Sequence, residues 1–258
     1  MKKKYLFAGL IVLVVVLLVL FVLPRTKKSQ QEIIKVGSDA AFAPFEYVDE
    51  TTGELKGFDL DLMRAIGEEL GIKVEIQNVA WDGIIPGLMG GNYNVIASGM
   101  TITEERLEVV NFTDPYINAG QVIVVRVNNN SILTKEDLVG KKVAVQISTT
   151  GDLEATKMLQ EEDIKISEIK RFNAPPDTFL ELKNGGVDAV IIDLAVAAEQ
   201  IKATPGLYKM AGEPFTFEEY GFALRKSDTE LLAKINKALD NLKANGKYDE
   251  IYQEYFGE

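Results

Sequence analysis

The chain has 258 residues, room for one large or two ordinary domains, and its 47% hydrophobic and 26% charged residues are globular values that exclude disorder and collagen-like repeats. It has no Cys and no His, which excludes disulfides, thiolate nucleophiles, lipid attachment through Cys, Cys- or His-based zinc sites and every His-dependent triad. A net charge of −11 argues against a nucleic-acid partner, because phosphate binding needs clustered Lys and Arg.

The first predicted element stands apart from the rest. Residues 1–31 carry six cations (Lys2, Lys3, Lys4, Arg25, Lys27 and Lys28) and no acid, so the remainder carries −17. Residues 5–23, YLFAGLIVLVVVLLVLFVL, are uncharged. As a helix they would span about 28 Å, close to the ~30 Å hydrocarbon core of a bilayer. A cleaved export signal usually has a core of about 7–15 residues followed by a small-x-small site. Here Pro24-Arg25-Thr26-Lys27-Lys28 follows instead. An uncleaved signal anchor is therefore expected, with a long cleaved signal as the other reading; both export the remainder. Matching cations on the two flanks leave its orientation open. Residues 24–32 are polar and unpatterned, a short tether.

From Ile33 short strands alternate with helices. Strands are expected at 33–38, at 45–48 and 55–58 around a turn-like Asp49-Glu50-Thr51-Thr52-Gly53, at 73–77 and at 94–98. Helices are expected at 59–70, with acids in the first turn, Leu62, Ile66 and Leu70 at four-residue spacing and Gly71 as a stop, and at 84–89 and 103–109. A second block follows, with strands at 121–127, 142–146, 166–172 and 187–193 and helices at 134–139, 151–160, 177–183 and 194–203. After 220–224 comes an amphipathic helix at 228–245, with Leu231, Leu232, Ile235, Ala238, Leu239 and Leu242 on one face, and a short one at 248–256. This alternation predicts an α/β fold. Residues 82–96 and 177–191 share one plan: an Asp opening a short helix, Leu88 or Leu182 near its end, a Gly pair, then an apolar strand. It suits either two similar lobes or two ordinary αβ units.

Four places are more polar than a core requires. In Ser98-Gly99-Met100-Thr101-Ile102-Thr103-Glu104-Glu105-Arg106, Gly99 allows close backbone approach and Thr101 or Thr103 caps a helix. Arg106 is a cation near a helix start that favours anions. It suits a carboxylate receptor or a surface pair with Glu104, Glu105 or Glu108. Gln146-Ile147-Ser148-Thr149-Thr150-Gly151-Asp152 is a second strand-loop-helix start, without a nucleotide-loop pattern. Asp193 ends an apolar strand, where a carboxylate is costly to bury without a cation; capping the next helix is the alternative. Phe42 and Trp81 sit in loops after strands near Asp39, where they suit either a flat or cationic group or packing on the core.

These pieces, in this order, resemble the extracellular solute-binding proteins of ABC importers, in the family that takes polar amino acids. The most specific motif is Gly57-Phe58-Asp59-Leu60-Asp61-Leu62, followed by Ile66-Gly67 and Leu70. Segments 39–45, 81–88, 101–106 and 112–116 and the ending YDEIYQEYFG support it. The resemblance covers about 33–258. It implies a two-lobed, type II periplasmic-binding-protein-like α/β fold, with anchor and tether at 1–32, lobe 1 at 33–115 plus 221–258, lobe 2 at 121–215, and hinge strands near 116–120 and 216–220.

The resemblance further implies an amino acid clamped between the lobes, an ABC permease as partner, an extracytoplasmic location and no cofactor or metal. Its α-carboxylate would meet Arg106, Thr101 and the Thr150-Gly151 turn. Its α-ammonium would meet Asp193, Ser98 and Gly99. Its side chain would lie between Phe42 and Trp81, with Asp39 and Gln146 at the far end. Arginine or another basic amino acid is the expected ligand, with glutamine as the alternative. Two departures stand out: no Cys follows the signal for lipidation, and positions 192 and 146 are Ile and Gln where some members have His and Lys. The same fold carries sensor domains, whose long signalling segments have no counterpart here, and cyclohexadienyl-type dehydratases. A dehydratase needs a general acid in the cleft, for which Asp193 and Asp39 are the candidates; a binding protein rather than an enzyme is expected.

Overall fold

The computed structural model describes residues 32–161 and 164–257. The expected signal anchor at 5–23 and the tether before Glu32 lie outside them. No helix of the described residues is long and apolar enough to cross a membrane.

The chain first forms β1 (Ile33–Ser38), the short strands β2 (Ala41–Phe42), β3 (Glu46–Val48) and β4 (Leu55–Lys56), α1 (Phe58–Leu70), β5 (Lys73–Asn78), a single turn at Trp81–Gly83, α2 (Ile84–Met89), β6 (Val95–Ile96), α3 (Glu104–Val109) and β7 (Val110–Phe112). It leaves through β8 (Ile117–Ala119) for β9 (Gln121–Arg126), a turn at Lys135–Leu138, β10 (Lys142–Gln146), α4 (Thr150–Gln160), β11 (Glu168–Phe172), α5 (Pro175–Asn184), β12 (Ala189–Asp193), α6 (Leu194–Ala203) and β13 (Tyr208–Ala211). It returns through β14 (Glu218–Tyr220) to β15 (Ala223–Arg225), α7 (Thr229–Ala244) and α8 (Lys247–Phe256).

Two five-stranded sheets result, β5-β1-β6-β15-β7 and β11-β10-β12-β9-β13. They share one pattern. In each, three parallel strands are followed by one reversed strand, β15 or β9, and then by an edge strand that again runs with the first three. The faint repeat therefore has a structural counterpart: α2–β6 and α5–β12 occupy equivalent places, and β6 and β12 are the middle strands of their sheets. The reversed strands β9 and β15 have no signature in the alternation. β9 and β15 arrive from the other sheet by short links, and a parallel neighbour would need a crossover of a dozen or more residues. The strand expected at 94–98 shrinks to Val95–Ile96, and 220–224 divides between β14 and β15. β8 and β14 pair antiparallel, Glu218 opposite Ala119 and Tyr220 opposite Ile117, so both passages between the sheets run side by side.

β9 and β12 read as unbroken apolar runs because both their faces are covered. Ile123, Val125 and Ile191 pack with Ala155 and Met158 of α4, while Val122, Val124 and Val190 join Phe179, Leu182 and Ala197 on the other side. In the first lobe Phe58 anchors α1. Its buried ring lies within 6.5 Å of the rings of Phe45, Tyr116, Tyr248, Tyr252 and Phe256. The C-terminal α8 thus closes the core around the Gly57-Phe58-Asp59 motif and fixes Asp59 behind the cleft.

Gly57 has φ 130°, and a Cβ there would lie 2.1 Å from the Phe45 carbonyl oxygen. Gly57→Ala should therefore cost about 2–4 kcal/mol through strain and backbone displacement. Urea unfolding should show a lower midpoint, and an unchanged one would mean the turn relaxes freely.

Candidate functional site

A narrow cleft gathers ten of the eleven residues predicted for a ligand: Asp39, Phe42, Trp81, Ser98, Gly99, Thr101, Arg106, Gln146, Thr150 and Asp193. Gly151 lies in the first turn of α4, one residue beyond Thr150. Asp39, Ser98, Gln146 and Asp193 stand at or just past the carboxyl ends of β1, β6, β10 and β12, where open α/β sheets present their loops. A wider groove along Tyr47, Lys56 and Glu199 contains none of the predicted residues.

Arg106 is 8% exposed. Thr103 caps its helix, its hydroxyl accepting from the Arg106 backbone N–H at 3.2 Å. The guanidinium donates to the carbonyls of Thr101 at 2.8 Å and of Ser148 at 3.3 Å, and lies 5.3 Å from the centre of the Trp81 ring. The surface pair with Glu104, Glu105 or Glu108 is thereby overturned. Burial lowers the Arg106 pKa from its ordinary value, and the nearby Glu218 and Asp193 oppose that shift. Trp81 Nε1 also donates to the Ser148 carbonyl, at 3.2 Å. Ser148, with φ 60°, is the one non-glycine residue in the left-handed region among the described residues. That strained turn aims one carbonyl of the second lobe at two donors of the first. Trp81 thus turns a face to Arg106 as well as lining the cleft.

Gln146 Nε2 donates to Asp39 Oδ2 at 2.9 Å and to the Asn173 carbonyl at 3.0 Å. Burial lifts the Asp39 carboxyl to about 6, with the Gln146 bond opposing and Asp82 adding to the shift. Phe42 stacks on Phe45 at 5.9 Å and crowds Gly99, where φ is 45° and a Cβ would lie 2.8 Å from the Phe42 ring. Ser98 Oγ accepts from the Asp39 N–H at 2.9 Å and donates to Glu46 Oε1 at 3.1 Å. The helix start of the second lobe is capped by Thr149, whose hydroxyl accepts from the Asp152 N–H at 3.3 Å.

Asp193 is buried and accepts a short hydrogen bond from the Tyr220 hydroxyl. Its side chain makes no capping bond to α6, so the capping alternative is overturned. Burial lifts it to about 7, the charge of Glu218 adds to this, and the Tyr220 and Gln121 bonds oppose it.

Sequence reasoning missed several polar groups here. Glu46 and Thr149 line the cleft. Behind it Asp59 accepts from the Gly99 N–H at 2.8 Å and the Tyr116 hydroxyl at 2.6 Å. Glu46 and Asp59 are both 0% exposed, and Glu46 Oε2 and Asp59 Oδ1 lack a hydrogen-bond partner among the described residues. Burial pushes Asp59 to about 7, and burial with the neighbouring Asp59 pushes Glu46 well up. Position next to the aromatic Pro44-Phe45 segment was the one available signal for Glu46. No group of His, Cys, Asp and Glu among the described residues could hold a metal ion.

A family model of bacterial extracellular solute-binding proteins, family 3, matches residues 34–258. The chain belongs to this family. It shares the two-lobed α/β fold of its solved relatives, in a family described as extracellular and solute-binding. A protein named as a probable histidine-binding protein in Neisseria gonorrhoeae is 37% identical over 87% of this chain and 83% of its own. An L-arginine-binding protein of Pseudomonas aeruginosa is 35% identical over 86% of this chain and 87% of its own. An ancestral arginine-binding protein, solved with arginine bound, is 48% identical with a TM-score of 0.82 over 87% of this chain and 98% of its own. An ancestral arginine-binding protein has also been solved with glutamine, at 48% identity and a TM-score of 0.82 over 88% of this chain and 98% of its own.

The raised carboxyls set a pH dependence. Asp39, Asp59 and Asp193 hold their protons more tightly folded than unfolded, so folding takes up protons between the ordinary value of 3.8 and about 6–7. Stability from these groups therefore falls as pH rises through that window. The thermal midpoint measured without ligand should rise as pH is lowered from 8 to 5. A midpoint that falls over that range would show these acids to be ionised and paired.

Proposed function

We propose that this protein is the extracytoplasmic substrate-binding component of an ABC importer, that it holds a basic amino acid, arginine first, between its lobes, and that it passes this ligand to the permease. The carrying observation is charge. Among the residues lining the cleft, Arg106 is the one cation, facing Asp39, Glu46 and Asp193. Arginine brings one carboxylate for Arg106 and two cations for Asp193 and Asp39. Its α-carboxylate would also meet Thr101 and the first-turn amides of Thr150 and Gly151, whose dipoles favour an anion. Its α-ammonium would lie against Asp193, with Ser98 and Gly99. Its guanidinium would stack on Phe42 near Trp81, with Asp39 and Gln146 at the end. Guanidinium stacks better than ammonium, and the cation–π contact adds about 0.5–2 kcal/mol. The arginine-binding relatives support this choice. In this reading 33–115 with 221–258 and 121–215 are the moving lobes, 116–120 and 216–220 the hinge, and 5–23 the membrane anchor.

Glutamine is the second reading, favoured by the Gln146–Asp39 hydrogen bond, which offers a planar amide one donor and one acceptor at the far end of the cleft. A carboxyl near 7 at Asp193 would also suit a general acid. A prephenate turnover assay beside the ligand screen therefore separates a dehydratase from a binder.

Two substitutions test the assignment. Removing the partner of a buried charge costs about 3–5 kcal/mol. Arg106→Ala should thus weaken every amino-acid ligand by about two to four decades in calorimetry; near-unchanged affinity would place the site elsewhere. Asp39→Asn should weaken arginine far more than glutamine. Equal losses would show that Asp39 does not face the side chain, and glutamate binding tightest to the unaltered protein would overturn the pocket assignment.

A further inference from the structure

We propose that Glu218, on the returning connecting strand β14, is the latch of the clamp: one carboxylate that holds a threonine of each lobe and so couples closure of the cleft to occupation by ligand. This rests on reading the cleft as the amino-acid site. Glu218 is 8% exposed. Its Oε2 accepts from the hydroxyl of Thr101, beyond β6 of the first sheet, at 2.8 Å, and from that of Thr150, at the start of α4 on the second, at 2.9 Å. Its Oε1 accepts from the Thr216 hydroxyl at 2.9 Å, which holds the carboxylate from two residues before it in the chain. Both threonines line the cleft. A carboxylate accepting from neutral hydroxyls makes charge-assisted bonds, stronger than neutral ones, and these two bonds exist together only while the lobes are close.

The strand supports the same role two residues on. Alternate residues of a strand share a face, so Glu218 and Tyr220 are buried while Glu219 is exposed. Tyr220 holds Asp193, the residue assigned to the ligand ammonium. Gln121, where the outgoing chain enters the second sheet, donates to the Thr150 hydroxyl at 3.1 Å. With Glu218 as acceptor, the two threonine hydroxyls are committed to the latch. That leaves Arg106 and backbone amides for the ligand carboxylate. Arg106, Asp193 and Tyr220 are the charged and titratable groups close to Glu218. Glu218→Gln therefore changes the latch and the field on Asp193 together, whereas Thr150→Val removes the latch bond and the Gln121 bond and leaves that charge in place.

The chain has no cysteine, so Met89→Cys and Leu159→Cys, both at exposed positions, take spin labels cleanly on the full-length protein. Pulsed EPR then reads the distance between lobes without ligand and with L-arginine or L-glutamine. Without ligand, Glu218→Gln should reduce the short-distance population to a third or less. Thr150→Val should do the same, and the double variant should add nothing further. Dissociation constants for the amino acid that binds should rise threefold or more in each variant, by the factor that the closed population falls. Ligand-free distance distributions identical in Glu218→Gln and unaltered protein would overturn the latch, as would full additivity in the double variant. Failure of the unaltered protein to bind either amino acid would overturn the proposed ligand class, and the ligand-free distances would still decide the latch.

Discussion

The buried guanidinium of Arg106 is the constraint around which the cleft is arranged. A cation taken out of water needs compensating charge and hydrogen bonds. Here these come from both lobes: the Thr101 carbonyl from one, the Ser148 carbonyl from the other, the Trp81 ring beneath, and Glu218 and Asp193 nearby. Because no single lobe satisfies it, the same residue that would recognise a carboxylate also ties the lobes together.

Around that cation the acids outnumber it. Asp39, Glu46, Asp59 and Asp193 are pushed up mainly by burial, each opposed by only a few hydrogen bonds. An arrangement of this kind is poor for stability and well suited to a ligand that brings positive charge, because the ligand supplies what folding alone leaves uncompensated. The unpartnered oxygens of Glu46 and Asp59 express the same imbalance.

Much of this was legible in the residues. The Gly57-Phe58-Asp59 motif announced a helix start, and its glycine proves to be required by φ and by the Phe45 carbonyl. A carboxylate at the end of the apolar run Val190-Ile191-Ile192 and an arginine misplaced at a helix start signalled function by the cost of their placement, and both line the cleft. Glu218 gave no such signal. It stands beside Glu219 with nothing in the sequence to tell the two apart, and only the pairing of β14 with β8 decides which of the two turns inward. Asp59 was read as a helix-start acid, a role that hides its bond to Gly99, 40 positions away.

The sequence by itself determined the hydrophobic segment ahead of a globular part, the α/β alternation, the family, and the kinds of group the cleft would need. Each of these is written in local composition, periodicity or motif order. The tertiary structure alone decided that one strand of each sheet, β15 or β9, runs against the other four, that Trp81 lies against Arg106, and that Thr101 and Thr150 meet on Glu218. The physical reason is range. Periodicity reports which face of one element is covered, whereas the state of a buried charge depends on every group packed around it, and Thr101 and Glu218 are 117 positions apart in the chain.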